Sequence, residues 1–288
     1  MKFTIPTCSK MALKSIRIMS SLVFLTLVLS NAMAASDLGT TTISDKRLIC
    51  LAKAYPDHLI SPTDHKSLQS RHGQSYPFNP QQTYKNYEDE LDYADLYSQL
   101  RVPYPTGLLQ TAPDHHADPG RLRHQPLFLD MYGDSASAVA SNLVQVYWAP
   151  CRCEIQFSKI NGAASALQAV GDEIEKAGLG RYVAQPLGTF NWRKIAGTQR
   201  LSMHAFGIAI DFKLPRSLGR YWRWELGRLN HANRQNWYPQ EILQDEALNH
   251  VVNIFESKGF VWGGKWWHYD SIHFEYRPEL SLFGCSQK

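Results

Sequence analysis

The 288-residue chain carries a formal net charge of +4, and that charge is confined to one end: residues 1–34 hold four Lys/Arg and no Asp/Glu. The remainder is electrically neutral and has no basic tail, which excludes the electrostatic footprint of a nucleic-acid-binding protein. About 250 residues are enough to bury a core of their own.

Taken in order, the chain opens on a targeting segment. Lys10, Lys14 and Arg17 precede an apolar run from Ile18 to Leu29, and Ala32-Met33-Ala34 has the small-x-small form of a signal-peptidase site. The run is about a dozen residues, short of the ~20 that span a bilayer, and no other stretch is long and apolar enough. Residues 1–34 therefore read as a signal peptide, and the mature protein as periplasmic or secreted with no membrane span. No cysteine follows the cleavage point, so no lipid anchor is expected.

Cys50, Cys151, Cys153 and Cys285 remain after cleavage. An even count in an oxidising compartment predicts two disulfides. A Cys151–Cys153 bridge would close a very small ring, so the expected scheme joins Cys50 and Cys285 to one each of the central pair. A zinc-binding cysteine cluster is disfavoured by the spacing.

Residues 35–140 read as an extension that wraps a core at 141–288. The extension is polar, rich in Tyr, Pro and His, and weakly periodic, with an acidic helix over Tyr87 to Leu100 ended by Val102-Pro103. Asp114-His115-His116-Ala117-Asp118 invites a metal reading, but His and Asp crowded in a Pro/Gly turn are more commonly a solvated loop. Leu143–Trp148 alternates like a strand, and Cys153–Phe157 is a second. Asn161 is placed to cap a helix running to about Ala177, with Leu167, Val170 and Ile174 on one face. Thr189–Ile195 reads as a strand, Pro239–Lys258 as a helix, and Phe260–Trp262 and Ile272–Tyr276 as short strands. Helices followed by short strands predict an α+β fold, a small antiparallel sheet backed by helices.

Two runs carry the chemistry. Ser202-Met203-His204-Ala205-Phe206-Gly207-Ile208-Ala209-Ile210-Asp211 has the fixed points S-x-H-x-x-G-x-A-x-D. Asp270-Ser271-Ile272-His273-Phe274-Glu275 follows near the C-terminus. A catalytic zinc takes three protein ligands and keeps an open position for water, and His204, Asp211 and His273 meet that count. Zinc lowers the pKa of bound water to roughly 7, and a base must stand within reach of that water. Asp270, three residues before a ligand, is the natural candidate. His204 and Asp211 have opposite parity along a strand, so the chain must kink between them, and Gly207 tolerates the backbone conformation a kink requires. Ala209, small and on the face of Asp211, leaves room beside the metal.

At these residues the chain resembles the VanY-type zinc D-alanyl-D-alanine carboxypeptidases, whose wider group includes L-alanyl-D-glutamate endopeptidases. The similarity extends through Gly263-Gly264-Lys265-Trp266 to Glu275 and covers roughly Gly188 to Pro278. It implies zinc as cofactor, His204, Asp211 and His273 as ligands, Asp270 as catalytic base, and peptidoglycan stem peptides as substrate. Many relatives have Glu where this chain has Asp270. Asp118-Pro119-Gly120-Arg121 also resembles a segment of this branch, where a structural salt bridge is the plain explanation.

Around the site, Arg193 is a candidate for a substrate carboxylate or the developing oxyanion, with Arg200 competing. Ser202 either touches substrate or caps the turn before His204. His268 competes with Asp270 as base, and Glu275 supports a ligand. Tyr221, Trp222, Trp224, Trp237 and Tyr238 either wall the cleft or pack in the core. The leading function is a zinc D-alanyl-D-alanine carboxypeptidase. The alternatives are an L-alanyl-D-glutamate endopeptidase, a non-catalytic zinc module binding wall fragments, or a metal-free wall-binding protein. Oligomeric state is not legible.

Overall fold

The computed structural model describes residues 45–218, 222–223 and 238–286. The signal-peptide segment and three of the aromatics, Tyr221, Trp224 and Trp237, lie outside these residues.

The N-terminal extension is built from short, explicitly capped elements. Helix α1 (Lys46–Ala54) starts at Asp45, whose carboxylate accepts from the Arg47 N–H, and it buries Leu48, Leu51 and Ala52. A small hairpin, β1 (Ser67–Gln69) and β2 (Ser75–Pro77), follows. The single helix expected over Tyr87–Leu100 is two, α2 (Tyr87–Tyr93) and α3 (Leu96–Arg101). Asp95 leaves helical conformation and its side chain accepts from Ser98 N, so the second helix gains a cap at the cost of continuity. Helices α4 (Gln125–Tyr132) and α5 (Ala136–Ala140) complete this half.

Strands β3 (Leu143–Trp148) and β4 (Cys153–Ser158) pair as an antiparallel hairpin. Helix α6 spans Ala163–Lys176, starting one residue later than a cap at Asn161 would place it, because Asn161 sits at φ 54° in the preceding turn. Its Leu167, Val170 and Ile174 are fully buried as predicted. The helix expected over Pro239–Lys258 is likewise broken, into α7 (Gln240–Gln244) and α8 (Glu246–Ser257). Asp245 turns out of the helix between them and caps α8 through Leu248 N at 2.7 Å.

The sheet that matters for function has four strands in the order β5 (Pro186–Gly188), β6 (Ala209–Phe212), β8 (His273–Tyr276), β7 (Phe260–Trp262), all antiparallel. The α+β expectation therefore holds. Thr189–Ile195 is not a strand; β5 ends at Gly188. The polar groups of that segment serve the next turn instead, with Thr189 O accepting from the His204 ring and Asn191 N donating to His204 O. Alternation along β6 and β8 puts Phe212 and Phe274 on the helix side. There Phe255 of α8 stacks on Phe274 with centroids 4.1 Å apart and meets Phe212 at 5.9 Å. Each such ring contributes roughly 1.5–3 kcal/mol when fully buried, so the strands are anchored from behind while Asp211 and His273 face the other way.

The extension is sealed to the core by buried polar links. Tyr104 donates to Glu256 at 2.6 Å, and Glu256 also takes Lys265 Nζ at 2.5 Å. The disulfides correct the expected pairing: Cys50 joins Cys285, and Cys151 joins Cys153. The small ring is feasible because Arg152, at φ 55° and ψ 42°, adopts the left-handed conformation in the β3–β4 turn and leaves the two Cα atoms 5.3 Å apart. In the chain-entropy account the Cys50–Cys285 loop, with a sequence separation of 235, is worth about 5 kcal/mol and the small ring about 1. Peptide mapping without reductant is expected to show one cross-linked Cys50/Cys285 pair and one internally bridged Cys151–Cys153 peptide. A link from either terminus to the hairpin would refute this pairing. Among the described residues no helix is long and apolar enough to cross a membrane.

Candidate metal centre

The kink between the first two motif residues is supplied by Gly207, at φ 66° and ψ 25°. Met203–Phe206 forms one 3₁₀ turn, capped by the Ser202 hydroxyl, which accepts from His204 N. Gly207 then reverses the backbone into β6. A side chain there would displace the tip of Leu143, 2.5 Å away, and would be strained at this positive φ, so it is the conformation that calls for glycine. This turn lets two residues of opposite strand parity face one point.

Asp211 and His273 are brought together by sheet register, as directly opposed residues on β6 and β8, with Ala209 opposite Glu275 two pairs further along. Asp211 Oδ1 lies 3.2 Å from His204 Nε2 and 2.9 Å from His273 Nδ1. The edge of a tetrahedron with bonds of about 2.1 Å is about 3.4 Å, so these separations suit donors sharing one ion. Among the described residues this is the group of His, Cys, Asp and Glu able to hold a metal. The Asp114–Asp118 run is not one.

Each imidazole is oriented through its other nitrogen. His204 Nδ1–H donates to Thr189 O at 2.8 Å, freeing Nε2 for the ion. His273 Nε2–H donates to Glu275 Oε2 at 3.0 Å, freeing Nδ1. Burial works to raise the carboxyls of Asp211 and Glu275, but hydrogen bonds from the histidines outweigh it. Asp211 is held well below the usual range and Glu275 at about 2. The same bonds outweigh burial at His273 and lift it to about 10. Two carboxylates flanking one imidazole favour a cation at Nδ1, either a proton or a metal ion.

Behind Glu275 runs a fully buried chain of alternating charge. Glu275 Oε1 takes Arg277 Nη1 at 3.0 Å, Arg277 Nε donates to Glu279 Oε1 at 2.6 Å, and Tyr55 of α1 donates to Glu279 Oε2 at 2.5 Å. The third candidate ligand is thus oriented through residues reaching α1, which carries Cys50 of the Cys50–Cys285 bridge. Sequence reading found Glu275 but not Arg277, Glu279, Tyr55 or Thr189. Nothing in their spacing marks them, since they meet only in three dimensions.

The three candidate ligands open onto a cavity of about 170 Å³, whose walls include Asp270, Ser202, Trp222 and Trp266. Asp270 is set by a tight loop: its N–H donates to Gly263 O at 3.0 Å, and its own carbonyl accepts from His273 N at 3.3 Å. A side chain at Gly263 would fall 2.6 Å from that carbonyl oxygen, which accounts for the first glycine of the Gly-Gly pair. Ser202 both caps the turn and lines the cavity.

The competitors are placed elsewhere. His268 is buried against Asp118, which accepts from both its ring Nδ1 and its backbone N at 2.8 Å. Asp118 is therefore explained by His268 and by Tyr87, 2.8 Å away. Arg200 pairs with Asp92 at 2.9 Å. Arg193 lines the cavity but is exposed. Two cavity arginines, Arg121 and Arg123, come from the extension and carried no periodic or motif signal beyond the Asp-Pro-Gly-Arg run. Tyr238 is buried, donating to Gly264 O at 2.7 Å, so it is a packing residue.

A family model described as D-alanyl-D-alanine carboxypeptidase matches residues 196–276. Comparison with curated proteins and with solved structures gives no significant match. The matched segment contains all three candidate ligands, both strands that present them and Asp270, and over these residues the chain is similar to the VanY-like D-alanyl-D-alanine carboxypeptidases, which supports that family.

Proposed function

We propose that this protein is an exported zinc D-alanyl-D-alanine carboxypeptidase acting on peptidoglycan stem peptides. The family match supports a zinc peptidase of cell-wall peptides. The observation that carries the finer reading is the cavity itself, where the three candidate ligands and Asp270 share a wall with arginines. When bound, zinc supplies a Lewis acid for the scissile carbonyl and makes water acidic enough to be deprotonated near neutral pH. His204, Asp211 and His273 would hold it. Asp270 takes the proton of the attacking water and returns it to the leaving amine of the terminal D-alanine. One arginine of the cavity wall orients the peptide through its carboxylate.

The test is digestion of a stem pentapeptide by zinc-loaded mature protein, with products read by mass spectrometry. Loss of a single D-alanine is expected. Cleavage between L-alanine and D-glutamate would replace this reading with the endopeptidase. Stoichiometric zinc without any cleavage would replace it with a non-catalytic module. Export is checked by fractionating cells that express the full chain, the mature protein being expected outside the cytoplasm with residues 1–34 removed.

A further inference from the structure

Three buried cations in this region have their charge answered by carboxylates. Arg200 has Asp92, Lys265 has Glu256, and Arg277 has Glu275 and Glu279. Arg123 is different. It is 4% exposed, and its guanidinium donates only to backbone carbonyls: Nη2 to Leu201 O at 2.6 Å and Nη1 to Arg121 O at 3.5 Å. Its Nε has no hydrogen-bond partner, and among the described residues no carboxylate lies within ion-pair distance of it. Burial, reinforced by the neighbouring charge of Arg200, pushes it down to about 9. Glu275, the cavity carboxylate whose charge acts on it, already has its oxygens engaged by His273 and Arg277.

A buried guanidinium without a carboxylate is costly, and this one lines the metal cavity. The cavity's charges make the same point. Arg121, Arg123 and Arg193 balance Asp211, Asp270 and Glu275, so a divalent ion held by neutral histidines leaves two positive charges uncompensated. An anionic ligand is what the loaded cavity lacks. Of the arginines, Arg193 is exposed, where an ion pair is screened and weak. Arg123 is already desolvated, and its planar fork matches a carboxylate.

The geometry points to Arg123 as the specificity residue that binds the C-terminal carboxylate of the peptide, a role the sequence alone would give to Arg193. The inference rests on the carboxypeptidase reading above. It means that the extension, outside the family match, supplies part of the substrate site.

The experiment compares a free-acid stem pentapeptide with its C-terminal amide on zinc-loaded protein, for the native chain and for Arg123→Met, Arg123→Lys and Arg193→Ala. Zinc content is measured in each. Native kcat/KM is expected to fall about a hundredfold on amidation. In Arg123→Met the free-acid value drops to about that of the amide while the amide value stays put, so discrimination vanishes with zinc retained. Arg123→Lys, keeping the charge without the fork, is expected to recover part of the discrimination, and Arg193→Ala to change it less than about fivefold. An equal loss on both substrates in Arg123→Met would mean a structural role and overturn the inference. So would a native enzyme releasing D-alanine from the acid and D-alaninamide from the amide at equal rates, a result that needs no variant to fold. If the native enzyme releases nothing from the free acid, the carboxypeptidase reading itself fails and takes the inference with it.

Discussion

Replacing Asp270 by Asn is expected to lower turnover about a thousandfold or more while leaving zinc in place. The substitution preserves size and keeps the tight loop, because the hydrogen bonds that set this loop run through the backbone, from Asp270 N to Gly263 O and from His273 N to Asp270 O. It removes the one carboxylate in the cavity that is neither a candidate ligand nor tied to a ligand's ring, as Glu275 is. An amide can neither accept the proton of water nor return one to the leaving amine. Losing general acid–base catalysis costs 10²–10⁴-fold, and a thousandfold corresponds to about 4 kcal/mol of transition-state stabilisation. The measurement is kcat on a stem pentapeptide beside metal analysis of the same sample. Near-native turnover with full zinc would remove Asp270 from the mechanism. His268 could not take its place without abandoning Asp118, so another base would have to be sought.

Loss of a metal ligand should be equally severe but should look different. His204→Ala or His273→Ala is expected to abolish both stoichiometric zinc and activity, since two remaining donors do not make a catalytic zinc site. Asp211→Asn should weaken zinc less than Asp211→Ala, because the amide keeps an oxygen donor while losing the charge. Glu275→Gln tests the orienting bond. The side chain still reaches His273 Nε2 but no longer carries the charge held between that ring and Arg277, and about a 10–100-fold weaker zinc affinity is expected. Competition with a chromophoric chelator measures all five variants on one scale. Full zinc in either histidine variant would show that the ion sits elsewhere.

The chemistry of the site was readable in one dimension because it is concentrated in two short runs whose residue types have few other uses together. His204, Gly207, Ala209 and Asp211 each have a local reason: a kink, a small neighbour, a carboxylate on the right face of a strand. Asp270 and His273 are related by a three-residue turn, which is also local. The helices behind the site announced themselves by apolar spacing, as with Leu167, Val170 and Ile174. Their boundaries did not, because Asp95 and Asp245 stop being helical residues only when their side chains are committed as caps. Register between β6 and β8, which places Asp211 opposite His273, is a long-range pairing that no local pattern specifies. The same is true of the disulfides, where a left-handed Arg152 overturned a sound objection about ring size. Tyr55, Arg123, Arg277 and Glu279 look like ordinary polar residues in the sequence. They acquire roles only after folding removes water from around them, when each charge must find a partner, or, for Arg123, is held at the cavity wall without one.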